Sequence, residues 1–159
     1  MKQRVYLETT IVSYLTARPS RDLIVAAHQE VTRQWWERRR EDFEVYVSQL
    51  VADEAGRGDQ EAVNRRVAIL HGVARLQVTA QAVALARELV EAHALPRESL
   101  EDALHIALAA TNGMDLLMTW NCKHIANAEM APAIRATIER CGYDPPIICT
   151  PDELMGESL

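Results

Sequence analysis

Short apolar runs alternate along the chain with longer stretches in which apolar positions recur every three or four residues. Residues 5–7, Val-Tyr-Leu, form the first short run and predict a β-strand. Residues 11–17 predict a helix that Thr9 or Thr10 can cap, ended by Pro19 and Ser20. A long helix is predicted from Asp22 to about Arg39, with Leu23, Ala26, Ala27, Val31, Gln34 and Trp35 near one stripe. In residues 43–47, apolar Phe43, Val45 and Val47 alternate with Glu44 and Tyr46, which predicts a second strand. Ser48 then caps a helix to about Ala55, and Gly56-Arg57-Gly58 stops it. Further helices are predicted over residues 60–70 and 80–93, with a strand at 75–78 between them and a break at Pro96.

Ser99 opens a helix over residues 100–111, where Leu100, Ala103, Leu104, Ala107 and Leu108 share a face. Asn112-Gly113 ends it, and residues 115–119 predict a fourth strand. Residues 123–127 predict about one helical turn, and residues 131–140 a helix opened by Pro132. Residues 147–149 are the last strand, and residues 150–154 a closing turn. Short apolar strands separated by helices predict an α/β fold: three layers, α/β/α, around a short, mainly parallel sheet. No repeat, low-complexity tract or linker interrupts residues 1–159, so one domain is expected.

Charge narrows the function classes. Lys plus Arg number 17 and Asp plus Glu 23, a net charge of −6. A surface this acidic repels a polyanion, so handling one requires a basic patch or a bound cation. The three cysteines are odd in number and form no CxxC pair, which fits a reducing, cytoplasmic setting. The apolar stretch after the basic start is broken by Glu8, unlike a signal peptide, and no apolar run approaches membrane-spanning length. Walker loops, GxGxxG and GxSxG are absent, which leaves nucleotide-fuelled and serine-hydrolase chemistry without support.

Ligands of open parallel sheets gather beyond the carboxyl ends of the strands. Glu8 follows the first predicted strand directly, and Asn121 comes just after the fourth. Glu54 lies in the helix after the second strand, and Asp102 in the first turn of the helix after Ser99. Three carboxylates brought together repel one another, and a divalent cation relieves that cost. An all-oxygen set favours Mg²⁺ or Mn²⁺. Such an ion also reverses the local sign of an acidic protein.

These residues resemble the PIN domain family, and within it the VapC-like toxins of toxin–antitoxin operons. The resemblance rests on Leu7-Glu8-Thr9-Thr10-Ile11-Val12-Ser13-Tyr14, on Ser48 with Glu54, on Asp102-Ala103-Leu104-His105-Ile106-Ala107, and on Thr119-Trp120-Asn121 with His124-Ile125. The Asp-Ala-x-His-Ile-Ala element is the most specific. The resemblance implies a compact α/β/α fold and Mg²⁺- or Mn²⁺-dependent cleavage of RNA. It further implies a homodimer and an antitoxin partner. Glu8, Glu54 and Asp102 would be metal ligands and catalytic residues, with Asn121 orienting a ligand water and Thr9 and Ser13 touching substrate. Two departures stand out: Glu8 occupies a slot commonly filled by Asp, and Asn121 stands where a fourth acid is common. Glu8, one methylene longer, can still ligate from a different height, and Asn121, a neutral carbonyl ligand at most, favours one ion over two.

Plainer readings compete. Asp102 could serve only the helix macrodipole, and Glu8 only a cap or salt bridge. Glu54 is preferred over Asp53, which reads as solvated, and Glu101 reads as first-turn charge. His105 reads as a buried, hydrogen-bonded histidine, and Cys122-x-His124 as structural. Trp35-Trp36 beside Arg38-Arg39-Arg40 has the composition of a single-stranded RNA site, but a solvated helix end explains it more simply, and the tryptophans could also face a partner chain. A binding module with a weakened site is the rival function. A receiver-type phosphotransfer domain ranks last, because no acceptor Asp and adjacent Lys occur.

Overall fold

The computed structural model describes residues 1–156. Five strands form one sheet: β1 (Gln3–Leu7), β2 (Phe43–Ser48), β3 (Ala74–Leu76), β4 (Leu116–Met118) and β5 (Ile147–Cys149). Their order is β3-β2-β1-β4-β5, and every neighbouring pair is parallel. Seven α-helices connect them: α1 (Thr9–Thr16), α2 (Leu23–Arg38), α3 (Gln49–Ala55), α4 (Gln60–Leu70), α5 (Ala80–Glu91), α6 (Leu100–Thr111) and α7 (Ala131–Arg140).

The chain winds from β1 to β3 in one direction, then crosses back to β4 and continues to β5. Right-handed crossovers therefore put α1–α4 on one face and α5–α7 on the other. The reversal lies between β1 and β4, where the carboxyl ends of two adjacent strands send their connections to opposite sides. That crevice is where a doubly wound sheet binds ligands. Register fixes it closely: Leu7 pairs with Met118, and the Glu8 amide extends the ladder to the Met118 carbonyl at 3.0 Å.

The central strands are buried on both faces, as Val5, Tyr6, Leu7, Leu117 and Met118 show. Helix α6 is buried almost all round from His105 to Ala110 and is the central helix of its layer. Its Leu100, assigned to an apolar face by periodicity, is 47% exposed because it stands at the helix mouth.

Several boundaries shift. The cap of α1 is Glu8, whose side chain accepts from the Thr10 amide, rather than Thr9 or Thr10. β3 begins and ends earlier than residues 75–78, and residues 123–127 form turns rather than a helix. On α2 the buried positions are Gln29, Thr32 and Trp35, whereas Leu23 is 86% exposed. The inward stripe is partly polar because its polar groups are paired. Gln29 accepts from the Ser20 amide and donates to the Arg18 carbonyl, and the Thr32 hydroxyl accepts from the Trp120 indole. No helix among the described residues is long and apolar enough to cross a membrane.

Candidate active site

Glu8 leaves β1 as a buried carboxylate, 4% exposed. One oxygen, Oε1, takes three donors: the Thr10 hydroxyl at 2.5 Å, the Thr119 hydroxyl at 2.6 Å and the Thr10 amide at 3.2 Å. The other oxygen has no protein donor. It meets solvent, because Trp35 Nε1 is the only unpartnered buried side-chain polar atom among the described residues.

Glu54 follows the same plan. Its Oε1 accepts from the Thr9 hydroxyl at 2.5 Å and from His105 Nε2 at 2.6 Å. Neighbouring Asp53 is exposed and accepts from Gln49 instead. Burial pushes the Glu54 carboxyl up, but the hydrogen bond and charge of His105, the Thr9 hydroxyl and a hydrogen bond with Glu101 outweigh it and hold it at about 2. His105 is fully occupied, since Nδ1 meets the Tyr6 hydroxyl at 2.7 Å and that hydroxyl meets Ser48 Oγ at 2.8 Å. Burial raises the Tyr6 phenol far above its ordinary range, so it stays protonated. A histidine with both ring nitrogens engaged orients the carboxylate and has no lone pair left for an ion.

Asp102, in the first turn of α6, accepts from His124 Nδ1 at 3.0 Å through Oδ2, and the same ring nitrogen lies 3.0 Å from Ser99 Oγ. Oδ1 has no protein donor. Asn121 does not stand free: its Oδ1 accepts the His124 amide at 3.0 Å, and its own amide donates to Thr119 Oγ1 at 2.9 Å. The Asn121 side chain thus shapes the turn that carries His124.

These contacts close a ring. Glu8 joins Thr119, Asn121, His124 and Asp102 on one side, and Thr9, Glu54 and His105 on the other, with His105 one turn beyond Asp102 on α6. Thr9 is spent on Glu54. Ser13 lies one turn further along α1, and its hydroxyl makes no hydrogen bond among the described residues. Thr10, Thr119, Ser99 and His124 all serve the carboxylates without having been singled out for it in the sequence. Glu101 is exposed and pairs with Arg57 at 3.4 Å, and its carboxyl also lies within hydrogen-bond reach of Glu54, so it borders the site. The tryptophan pair divides: Trp35 is fully buried against Phe43, and Trp36 is covered by the Arg40 guanidinium at 4.3 Å from its ring.

The ring bears on the metal question directly. No three His, Cys, Asp or Glu side chains among the described residues are gathered tightly enough to enclose an ion. Protein donors clamp one oxygen of each of the three acids, and Glu101 stands beside Glu54 as a fourth carboxyl. That all-oxygen set does not cage an ion but fits a hard cation that keeps several waters, as Mg²⁺ does.

The domain model described as "PIN domain" matches residues 5–126, a span that includes every residue of the ring. No curated protein matches the chain. Among solved structures, VapC20 of Mycobacterium tuberculosis, a sarcin-ricin loop cleaving toxin, is 20% identical. The match covers 77% of this chain and 93% of that one, with a TM-score of 0.59. VapBC2 of Rickettsia felis, bound to a DNA fragment from their promoter, is 15% identical over 93% of this chain and 98% of that one, with a TM-score of 0.58. Sheet order, the carboxylates at the β1/β4 crevice and the domain match over most of the chain agree, and the chain belongs to the PIN domain family.

Proposed function

We propose that the protein is a metal-dependent endoribonuclease and the toxin of a toxin–antitoxin pair. The observation that carries this reading is the half-clamped state of Glu8, Glu54 and Asp102. Protein donors fix one oxygen of each around the crevice of a PIN-family sheet, and none of them holds the other oxygen. Membership of that family and the likeness to VapC20 and VapBC2 support the nuclease and the antitoxin partner.

Glu8, Glu54 and Asp102 would hold Mg²⁺ or Mn²⁺. When bound, such an ion lowers the pKa of its water and shields charge building on a phosphodiester. The residues around it keep the acids ionised and aimed. Thr10 and Thr119 hold Glu8, Thr9 and His105 hold Glu54, and His124 holds Asp102. Asn121 acts as a positioning residue through the His124 turn. The Ser13 hydroxyl is free to meet substrate. Exposed Leu23 and Ile24 at the start of α2 offer apolar surface to a second copy of the chain.

RNA oligonucleotides incubated with the purified protein test this reading. Cleavage is expected with Mn²⁺ or Mg²⁺ and not with chelator. Asp102→Asn should lose at least about a hundredfold in rate while keeping its fold, with thermal stability in chelator equal or higher because like-charge repulsion falls. Parent-level cutting by Asp102→Asn, or cutting in chelator, would overturn it.

A further inference from the structure

Carboxylates repel the phosphodiester assigned to them, so a cation beside them has to help hold it. Arg57 is the basic side chain that the structure ties to them. Among the described residues it is the only arginine or lysine ion-paired with an acid bordering the site. Its guanidinium lies 3.4 Å from Glu101, whose carboxyl is within hydrogen-bond reach of Glu54. The other ion-paired arginines meet Glu30, Glu41, Asp42, Glu61, Glu88 or Glu139, none of which joins the hydrogen-bonded ring.

A second tie runs through the backbone. The Arg57 amide donates to the Glu54 carbonyl at 3.2 Å, so its side chain leaves the chain one turn beyond that acid. Arg66 pins this turn, donating Nε to the Ala55 carbonyl at 2.9 Å and Nη2 to the Arg57 carbonyl at 2.6 Å. Exposed Gly56 and Gly58 flank Arg57 with no side chain to cover it, and Gly58 has φ 100, a conformation that favours glycine. A fixed backbone thus carries a long, exposed cation.

The pair with Glu101 is loose, and its geometry suits an anion with two oxygens. Nη1 faces both carboxylate oxygens, at 3.4 and 3.5 Å, and Nη2 faces one, at 3.4 Å. Tight charge-assisted bonds are shorter, about 2.7–2.9 Å. Both side chains are more than half exposed, at 62% and 54%. An exposed pair of this length holds weakly and is screened by salt. A phosphodiester offers the same fork two oxygens.

We propose that Arg57 leaves Glu101 to grip a phosphate of the RNA strand beside Glu54, as a substrate-positioning residue. The assignment rests on the nuclease reading and says which side chain holds its substrate. It answers how a chain of net charge −6 receives a polyanion among acids.

Cleavage of an RNA oligonucleotide in Mn²⁺ across a salt series, by the parent, Arg57→Ala, Arg57→Lys and Glu101→Gln, tests the assignment. Arg140→Ala removes an exposed arginine that lies 3.4 Å from Glu88, and it should match the parent. Arg57→Ala is expected to raise KM about tenfold, and its plot of log kcat/KM against log salt should flatten by about 0.7, one phosphate contact to a single strand. Arg57→Lys should restore the slope and part of the KM, since it keeps the charge and loses the fork. Glu101→Gln removes the resting partner and should leave the slope at the parent's value, with KM equal or lower. Arg57→Ala should also keep the Mn²⁺-induced rise in Tm, which separates a lost substrate contact from a lost ion. The parent's salt slope in Arg57→Ala would overturn the assignment, as would loss of that rise. Equal KM losses in Arg57→Ala and Glu101→Gln would do the same, because the pair would then be structural. A parent that cuts no RNA refutes the nuclease reading itself, whereas parent-like cutting by Arg57→Ala refutes the role of Arg57 alone.

Discussion

At the scale of the residue, Glu54 shows how a buried carboxylate is kept charged. Desolvation raises its pKa, yet His105 and Thr9 together hold it at about 2, against 4.5 for a free glutamate. A carboxyl whose pKa is lowered by folding stabilises the native state fully above its unfolded value. That contribution is lost as pH falls from about 4.5 toward 2. In chelator, the parent should lose more stability across this window than Glu54→Gln, whose side chain does not titrate. Urea midpoints at successive pH values measure it, and parallel profiles for the two proteins would contradict the assigned clamp. The sequence already made Glu54 the better choice than Asp53, and it read His105 as buried and hydrogen-bonded. The Thr9 and Thr119 hydroxyls escaped notice as donors to Glu54 and Glu8 because they lie far away along the chain. Thr119 lies 111 residues from Glu8, and no helical or strand period connects the two.

At the scale of the element, the start of α1 is where fold and site share one side chain. Glu8 caps the helix, extends the sheet through its amide and offers a free carboxylate oxygen. Cap preferences pointed to Thr9 or Thr10, because short side chains reach the first-turn amides most readily. The structure puts the longer Glu in that place, and Thr10 supports it by donating its hydroxyl to the carboxylate and accepting the Trp120 amide. Glu8→Ala removes the cap and strands the Thr10 and Thr119 hydroxyls, a loss of about 2–3 kcal/mol. Glu8→Gln keeps an acceptor oxygen and should unfold at a urea concentration close to the parent's. Equal stability of the Ala and Gln variants would mean that Glu8 does not hold this junction together. The strands themselves were legible as short apolar runs. The α2 stripe was not, since an amphipathic pattern cannot show that Gln29 and Thr32 are buried with partners from a loop 11 residues back and from Trp120, 88 residues on.

At the scale of the whole molecule, the winding order does what no single segment announces. Alternating strands and helices implied a parallel sheet, but the reversal between β1 and β4 is a property of the order β3-β2-β1-β4-β5. It brings Glu8, Glu54 and Asp102, from three separate connections, to one end of the sheet. Their mutual repulsion is a cost carried by the folded state alone, since the unfolded chain separates them. A cation that binds only the folded state removes that cost and stabilises it by mass action. A hundredfold excess of Mn²⁺ over its dissociation constant is worth about 2.7 kcal/mol, or roughly 5–10 °C in Tm for a domain of this size. The rise should follow the logarithm of Mn²⁺ concentration, reverse with chelator and be much smaller in Asp102→Asn. Glu129→Gln, on the exposed turn before α7, should retain it. A Tm indifferent to millimolar Mn²⁺ would instead favour a module that binds RNA or an antitoxin without cutting, because the acids would then be clamped for structure alone.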